Sequence, residues 1–370
     1  MKLLDLRLTG FRNYEDQTVE FDPGINLFVG QNAQGKTNLL EAICYLSRGA
    51  AFRTRKEAEL IRFGAEFAAL EARVFSYDRE QSLKTVMFAG RRPRQLFLSG
   101  VKKPSREDLD GVLNTVLFCP EDLSVLKKGA AERRKLLDDA LCQLRPRYAK
   151  ALEEYRRNYA QKSAVLRERD EHPELLDLLP EYNERMAQTG AIIITTRAKY
   201  IRRLAERAAV HHGAFTADRE QLRLSYQTVS TVQDPTASAR QVYDWLREHQ
   251  ESHARSELAS AQCLSGPHKD DFEVAINELS VKTYGSQGQT RTAAISLKLA
   301  ERDLFEADTG EQPVLLLDDV LSELDAGRQD FVVNCIRSGQ VLITCCETDR
   351  VTHAGRTFSV EGGIIRTAEP

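Results

Sequence analysis

The chain opens with a pattern of hydrophobic and polar positions that is typical of short strands. Apolar side chains alternate with polar ones over residues 4–8 and recur at residues 19–21, and the apolar run 25–29 follows an Asp-Pro-Gly turn signal. A glycine-containing loop and a helix-prone run come next, and strand-like alternation returns over residues 68–118. The pattern therefore predicts a strand-rich N-terminal part that contains one early helix.

The middle of the chain has a different composition. Residues 130–169 are rich in Ala, Leu, Glu, Lys and Arg, which favour helices, and a second helix is predicted from Pro180 to His212 with Gly213 as its C-terminal cap. Apolar residues lie on one face of this second helix, without the sustained heptad repeat of a long coiled coil. We therefore predict a helical arm domain over residues 126–264.

The C-terminal part alternates between strands and helices. Strands are predicted at residues 272–276, 314–317 and 340–344, with helices between them. Such alternation is typical of a parallel sheet that is covered by helices. The predicted fold class is therefore α/β, with residues 1–125 and 265–370 forming one discontinuous domain around the inserted arm.

Composition is typical of an ordinary globular protein, with 42% hydrophobic and 29% charged residues in a chain of 370. No apolar run approaches the roughly 20 residues of a membrane span, and the first residues lack the apolar core of a signal peptide. We therefore expect a cytoplasmic protein with no membrane partner. The seven cysteines include no C-x-x-C pair, which argues against a disulfide framework or a zinc site. Cys345 and Cys346 lie in an apolar run, and we expect both thiols to be buried.

Local charge is more informative than the net charge of -3. Residues 91–106 contain six basic and no acidic residues, and residues 127–157 contain ten basic and five acidic residues. Basic patches are compatible with binding to the phosphate backbone of DNA, and an ordinary solvated surface has the same composition. The candidate DNA contacts are Arg91, Arg92, Arg94, Lys102 and Lys103.

One segment matches the phosphate-binding pattern G-x-x-x-x-G-K-[ST]. It lies between the predicted strand 25–29 and the helix-prone run 38–46, which is the context that a P-loop requires. Backbone N–H groups of such a loop surround phosphate oxygens, the lysine reaches the β and γ phosphates, and the threonine hydroxyl binds Mg²⁺. We therefore predict ATP and Mg²⁺ as cofactors, with Lys36 also a catalytic residue. The loop consists of Gly30, Gln31, Asn32, Ala33, Gln34, Gly35, Lys36 and Thr37.

Two adjacent carboxylates supply the second half of the predicted metal site. Asp318 and Asp319 directly follow the apolar run 314–317, and carboxylates are tolerated there only where a strand leaves the core. Asp318 is the predicted Mg²⁺ ligand beside Thr37, because a P-loop needs a distant carboxylate to complete the metal site. Asp319 is the predicted catalytic residue that polarises the attacking water.

A small-residue segment upstream of these aspartates distinguishes among P-loop families. Residues 284–289, Tyr-Gly-Ser-Gln-Gly-Gln, open a predicted helix and resemble the signature motif of ABC-type ATPases. By this resemblance Ser286, Gly288 and Gln289 are expected to contact ATP that is bound by a second copy of the chain. The turn residues alone would also suit an ordinary helix start.

Together these segments resemble an ABC-type P-loop ATPase head of the Rad50/SMC-like kind, with an antiparallel β subdomain and an inserted helical arm lobe. Ser322 and Asp325 stand in a run that resembles the D-loop, which crosses the dimer interface in ABC proteins. The resemblance implies that two chains clamp two ATP molecules between the P-loop of one copy and the signature motif of the other. ATP would then drive formation of a homodimer, and hydrolysis would loosen it.

Longer strings are similar to the RecF family in particular. They are residues 11–14 (FRNY), 38–43 (NLLEAI), 52–54 (FRT), 120–123 (PEDL), 266–271 (GPHKDD) and 316–325 (LLDDVLSELD). This resemblance implies a bacterial protein of DNA repair and replication that binds single-stranded, duplex or gapped DNA in an ATP-dependent way. It also implies RecO and RecR as partners in loading RecA during recombination, support of the SOS response, and weak Mg²⁺-dependent ATPase activity.

Two departures from the ABC pattern bear on catalysis. Many ABC enzymes carry Glu where this chain has Asp319, whose shorter side chain predicts slow turnover, and Thr344-Cys345-Cys346 stands where a switch histidine would follow the last core strand. The open alternatives are another SMC- or Rad50-like head ATPase and a scaffold that binds ATP without hydrolysis. A P-loop GTPase is disfavoured, because its N-K-x-D motif needs an Asn-Lys pair that the sequence lacks.

Overall fold

The computed structural model of the chain describes residues 1–54, 56–336, 338–346 and 355–368. The chain divides into two compact units. The first combines Met1–Ser124 with Ala294–Pro370, and the second is Val125–Ala293.

The first unit contains an antiparallel sheet that follows from the alternation at the start of the chain. Alternate side chains of its strands, such as Leu6, Leu8 and Leu70, are buried in one hydrophobic core. The same core includes Leu39 and Ile43 of helix α1 (Lys36–Arg48). In spatial order the strands are β2 (Tyr14–Glu20), β1 (Lys2–Phe11), β4 (Phe67–Ser76), β5 (Arg79–Phe88), β6 (Gln95–Leu98) and β7 (Val101–Lys103).

A second sheet of this unit is mostly parallel, as the alternation of strands and helices predicted. In spatial order its strands are β15 (Ile364–Thr367), β14 (Arg356–Glu361), β3 (Ile25–Val29), β13 (Val341–Cys345), β12 (Val314–Asp318) and β8 (Thr115–Phe118). The terminal pair β14–β15 is antiparallel. Every residue of β12 and β13 is buried, as in parallel strands that are covered on both faces. Helix α1 packs against β8, β12 and β13, and α8 (Ala326–Cys335) connects β12 with β13.

The second unit combines helices with a small antiparallel sheet. Its helices are α2 (Ala130–Leu144), α3 (Pro146–Glu168), α4 (Leu179–Thr216), α5 (Ala239–Ser260) and the short α6 (Val281–Tyr284). Its strands are β9 (Leu222–Gln227), β10 (Asp271–Ile276) and β11 (Leu279–Ser280), with β10 in the centre. Helix α7 (Gln287–Thr309) contains the boundary between the two units.

The expectation that residues 272–276 join the parallel sheet is wrong. These residues form β10, which pairs antiparallel with β9 and β11. Strand β9 was missed from the sequence, although Leu222, Leu224 and Tyr226 alternate with polar residues and their burial alternates with them. Because β10 pairs with β9, residues 265–293 group with the second unit, and the boundary lies at Ala293/Ala294 rather than at residues 264/265.

The helices of the second unit also differ in their ends from the predicted ones. The helix-rich stretch 130–169 is two helices, since Arg145 before Pro146 is extended, as proline demands of its predecessor. Helix α4 continues past Gly213 to Thr216. Ala217 caps it in a left-handed conformation (φ 52°), and its N–H donates to the Gly213 carbonyl. Gly213 therefore lies in the last turn of the helix and is not its cap.

Buried ion pairs tie the helices of the second unit together. Lys162 of α3 pairs with Glu257 of α5, and both side chains are almost fully buried. A second oxygen of Glu257 accepts the N–H of Leu264 over 2.6 Å. Among the residues with described positions, no helix is both long and apolar enough to cross a membrane.

Candidate nucleotide-binding site

The glycine loop connects β3 to α1 and has a backbone that only glycine permits at its two pattern positions. A Cβ atom at Gly30 would lie 2.2 Å from the carbonyl oxygen of Val360. Gly35 has a φ of 122°, and a Cβ atom there would lie 2.7 Å from the Asn13 side chain. Other side chains are therefore excluded by a close approach at the first glycine and by conformation and space at the second.

The Lys36 ammonium lies inside this loop. Lys36 is 6% exposed, and its Nζ donates to the carbonyl oxygens of Gly30 and Gln31, the latter over 3.0 Å. Its Nζ also lies 3.6 Å from Sγ of Cys346. The positive charge is thus held by two carbonyl oxygens of the loop, and backbone N–H groups of such a loop are the donors that surround phosphate oxygens.

The hairpin that β1 and β2 form holds the glycine loop through side-chain hydrogen bonds to its backbone. Asn13 donates from Nδ2 to the Gln34 carbonyl over 2.9 Å, and the Tyr14 hydroxyl donates to the Gly35 carbonyl over 2.9 Å. Asn38 of α1 donates to Asn13 Oδ1 over 2.8 Å. These contacts give a physical role to part of the FRNY string, a role that the sequence pattern alone did not reveal.

Arg12 fixes the position of this hairpin against helix α1. Its backbone is left-handed (φ 51°), and its guanidinium makes two bonds to the Glu41 carboxylate, of 2.8 and 3.1 Å. A third bond of 2.8 Å reaches the Glu59 carbonyl. Glu41 is fully buried, so Arg12 is the counter-charge that makes burial of this carboxylate tolerable.

The order of the parallel strands brings Thr37 and Asp318 together. Strand β13 lies between β3 and β12, with Asp318 opposite Thr344 in register. The hydroxyls of Thr37 and Thr344 both donate to Asp318 Oδ1 over 2.9 Å. Burial raises the pKa of Asp318, the two hydroxyl bonds lower it, and the neighbouring charge of Asp319 raises it. A hydroxyl and a carboxylate at the C-terminal edge of the sheet are oxygen ligands of the kind that Mg²⁺ takes.

Asp319 stands in a backbone conformation that is uncommon for aspartate, with a φ of 51°. Its N–H donates to Thr344 Oγ1 over 3.0 Å, and its carbonyl accepts from Ser322 Oγ over 2.7 Å. Its Oδ1 is buried without a hydrogen-bond partner among the described residues. The backbone of Asp319 is therefore held from both sides, and one carboxylate oxygen is left for a further donor.

The two predicted D-loop residues have local roles. Ser322 bonds to the Asp319 carbonyl, as described, and the Asp325 side chain accepts from the Arg328 N–H over 3.1 Å. Asp325 thereby caps helix α8. Both contacts fix the segment that follows the carboxylate pair.

The predicted signature residues lie in the second unit, at the first turn of α7. Gln289 donates from its backbone N–H to Ser286 Oγ over 3.1 Å, and Ser286 donates from its N–H to Gln289 Oε1 over 3.0 Å. This reciprocal pair is a capping box. Gly288 lies within the same turn, and Lys127 donates to the Gly285 carbonyl over 2.8 Å. The turn is therefore well fixed within its own unit.

The predicted DNA contacts differ in their surroundings. Arg91 and Arg92 are exposed, and the Arg92 guanidinium lies 4.1 Å from the centre of the Phe88 ring. Arg94 is instead engaged internally, with bonds of 2.7 Å to Glu57 and 2.9 Å to the Gly49 carbonyl. Lys102 is exposed and Lys103 is half-buried on the edge strand β7. The guanidinium of Arg94 is thus already hydrogen-bonded within the fold.

Two further expectations are corrected or refined. Cys345 is buried as expected, but Cys346 is exposed, because it follows the end of β13 and lies beside the glycine loop. His268 of the GPHKDD string bonds through Nδ1 to the Tyr155 hydroxyl over 2.6 Å. Burial lowers the pKa of His268 to about 4, so its imidazole is neutral at pH 7.

Similar proteins of known family identify the family of this chain. The family model described as RecF/RecN/SMC N terminal domain matches residues 2–363. A curated relative from Clostridium novyi, "DNA replication and repair protein RecF", is 37% identical over 93% of this chain and 92% of its own length. The chain belongs to the RecF family. Another RecF of the same description, from Desulforamulus reducens, is 37% identical over the whole of both chains.

Solved structures of RecF agree with this assignment. The "recombination mediator protein RecF-ATP in RecFOR pathway" superposes with a TM-score of 0.91 at 33% identity, over 99% of this chain and 97% of that one. A RecF-ATPrS structure gives a TM-score of 0.93 at 31% identity, over 100% and 98% of the two chains. An SMC head at 16% identity gives a TM-score of 0.59 over 100% and 97% of the two chains, and shows the shared fold alone. The fold is therefore that of an ABC-type ATPase head, as the motifs predicted.

Proposed function

We propose that this RecF-family chain is an ATP-dependent DNA-binding protein of DNA repair and replication, in which slow ATP hydrolysis is coupled to dimerisation of the heads. The observation that carries the proposal is the meeting of three groups in one place. Lys36 lies inside the glycine loop, Thr37 begins the helix that follows it, and Asp318 lies 2.9 Å from the Thr37 hydroxyl across an intervening strand. A RecF solved with ATP supports ATP as the ligand.

Each group has a chemical task in this proposal. Lys36 binds the β and γ phosphates, and Thr37 and Asp318 hold Mg²⁺, which neutralises phosphate charge when bound. The Oδ1 atom of Asp319, which has no hydrogen-bond partner in the described part of the chain, accepts a hydrogen bond from the attacking water and orients it. Because aspartate is one methylene shorter than glutamate, we expect slow turnover.

Dimerisation completes the site in this proposal. Ser286, Gly288 and Gln289 of one copy contact the nucleotide that is held by the P-loop of the other, and Ser322 and Asp325 lie near the shared interface. ATP then stabilises the dimer, because it binds to both copies at once. Hydrolysis removes the γ-phosphate contacts and loosens the clamp.

The proposed DNA contacts are the exposed cations Arg91, Arg92, Lys102 and Lys103. The guanidinium of Arg94 already bonds to Glu57. We therefore propose that Arg94 contributes to DNA binding indirectly, by fixing the position of the basic segment 91–106. The name of the RecF-ATP structure places that protein in the RecFOR pathway, which supports RecO and RecR as partners here. Loading of RecA on gapped DNA and support of the SOS response belong to the same proposal.

The test measures ATP-dependent dimerisation and DNA binding together. Sedimentation velocity with and without Mg²⁺-ATP gives the dimer, and titration of single-stranded, duplex and gapped DNA of equal length gives the preferred substrate. Lys36→Arg should keep the fold and abolish turnover, whereas Ser286→Arg should keep ATP binding by the monomer and prevent the dimer. Wild-type ATPase activity in Lys36→Arg would show that the glycine loop is not the site of ATP hydrolysis.

Two other outcomes separate the alternatives. An ATP-dependent dimer without any hydrolysis would identify a binding scaffold. For the basic segment, Arg91→Ala with Arg92→Ala should weaken DNA binding and lower the slope of log K against log salt by about 2, roughly 0.9 for each phosphate contact on duplex DNA. An unchanged slope would show that these residues do not face DNA.

A further inference from the structure

The signature turn of residues 284–289 is anchored by a residue outside the motif. The Oε1 atom of the Gln289 side chain accepts from the Ser286 N–H, and its amide nitrogen Nε2 points in another direction and donates to Glu220 Oε1 over 2.8 Å. Glu220 lies in the connection between α4 and β9. A carboxylate 69 positions away in the chain thus determines where the amide group of Gln289 points.

Glu220 is itself held in place. Its second oxygen, Oε2, lies 3.1 Å from Nε2 of His212, a fully buried residue of α4. The backbone N–H of the next residue, Gln221, donates to Oδ1 of Asn277 over 2.9 Å, just after the end of β10. A residue of α4 therefore holds the carboxylate, and the residue after β10 holds the backbone next to it, all within the second unit.

The chemistry of this contact determines which end of the Gln289 amide faces Glu220. A carboxylate only accepts hydrogen bonds, so Glu220 binds the NH₂ group of Gln289 and not its carbonyl. This leaves the Gln289 oxygen facing the Ser286 N–H, which is the orientation that a capping box needs. Without the anchor, the terminal torsion of glutamine is broad and roughly two-fold, and the oxygen and nitrogen can exchange places.

We propose that Glu220 is a positioning residue for the signature motif. By fixing the amide of Gln289 it holds the Ser286 turn in the single conformation that meets ATP on a second copy of the chain. The inference rests on the proposed function, because it takes the turn to be the surface that contacts the nucleotide of the partner. Glu220 acts only through Gln289.

The test compares Glu220→Ala with Glu220→Gln. Alanine removes the acceptor, whereas glutamine retains an oxygen that accepts from Gln289 Nε2. For Glu220→Ala we expect the dimer dissociation constant in saturating ATP to rise about tenfold for each of the two turns in the dimer, the effect of one hydrogen bond to a charged group. Glu220→Gln should stay within a few-fold of the wild type. ATP affinity of the dilute monomer should be unchanged in both variants.

Sedimentation equilibrium gives the dimer constants, and titration with a fluorescent ATP analogue below the dimerisation concentration gives the monomer affinity. Glu251→Ala is the matched control, since it removes an exposed carboxylate of the same unit that pairs with Arg247. Gln289→Ala breaks the same contact from the other side. It should lose at least as much dimer affinity as Glu220→Ala, because Gln289 is also proposed to contact the nucleotide, and it should make a further Glu220→Ala change silent.

If Glu220→Ala dimerises like the wild type, the inference is overturned. If that variant does not fold, wild-type dimerisation of Gln289→Ala overturns it instead. Additive losses in the double variant would overturn it as well, because the two residues would then act separately. A wild-type chain that forms no dimer with ATP would remove the proposed function, and this inference with it. A normal wild-type dimer with unaffected variants would remove the inference alone.

Discussion

Arg12→Ala is expected to destabilise the first unit and to weaken ATP binding at the same time. The substitution removes two bonds to the Glu41 carboxylate, which is fully buried, and one bond to the Glu59 carbonyl. Loss of one partner of a buried ion pair costs roughly 3 to 5 kcal/mol, because the other charge stays buried without compensation. Arg12 is itself one-fifth exposed, so the lower end of the range, about 3 kcal/mol, is the expected loss.

ATP binding should weaken because Asn13 and Tyr14 follow Arg12 and bond to the glycine loop. Urea unfolding followed by circular dichroism measures the loss of stability, and fluorescence of Trp245, the only tryptophan, reports on the second unit. A fluorescent ATP analogue measures affinity.

Arg7→Ala is the control for this experiment, because Arg7 lies on the same hairpin and pairs with Asp16 where both side chains are more than half exposed. Exposed pairs contribute little to stability, so this variant should behave like the wild type. The reasoning fails if Arg12→Ala loses less than about 1 kcal/mol, or no more than the control loses.

Three further outcomes follow from the described contacts. Burial raises the pKa of Asp318, so its ionised form is disfavoured in the fold; Asp318→Asn should raise the melting temperature of the nucleotide-free chain at pH 7 and abolish Mg²⁺-dependent turnover. The gain should shrink as the pH falls through the raised pKa of folded Asp318. It should vanish below about 3.8, the ordinary value for aspartate, where the wild-type side chain is neutral in both the folded and the unfolded chain. Variant and wild type with the same melting temperature at pH 7 would contradict this. Cys346 is exposed, and its Sγ lies 3.6 Å from the Lys36 ammonium, so bound ATP should slow alkylation of this thiol by iodoacetamide. Peptide mass spectrometry measures the alkylation rate, and equal rates with and without ATP would contradict the prediction. Glu257→Ala leaves the Lys162 ammonium buried and unpaired, so urea unfolding followed by Trp245 fluorescence should show a loss of about 3 kcal/mol, whereas replacing both residues by apolar ones should restore most of it.

Several features of the site were predictable because their causes are local in sequence. The loop that begins at Gly30 is recognisable from its glycines, its lysine and the strand and helix on either side. Asp318 is recognisable because two carboxylates directly after an apolar strand must lie at its exit. The Ser286 turn shows the spacing of a capping box, with a glutamine three positions after a serine.

The sequence predictions were wrong where a long-range partner, or the exact end of a strand, decides the surroundings of a residue. The pattern of residues 271–276 predicts a strand but not the sheet that it joins, and the strand pairs antiparallel with β9. Arg94 stands in a basic run, yet Glu57 binds it internally. Cys346 follows an apolar strand, yet it is exposed because the strand ends one residue earlier.

The amino-acid sequence by itself determined the nucleotide loop, the carboxylate pair, the class of fold and the family resemblance. These depend on residue types at fixed short spacings, where backbone geometry leaves few choices. Only the tertiary structure decided that Thr37 meets Asp318, that Arg12 neutralises Glu41, and that Glu220 orients Gln289. Such partners are brought together by strand order and helix packing, which depend on the free energy of the whole core and not on any neighbouring residues.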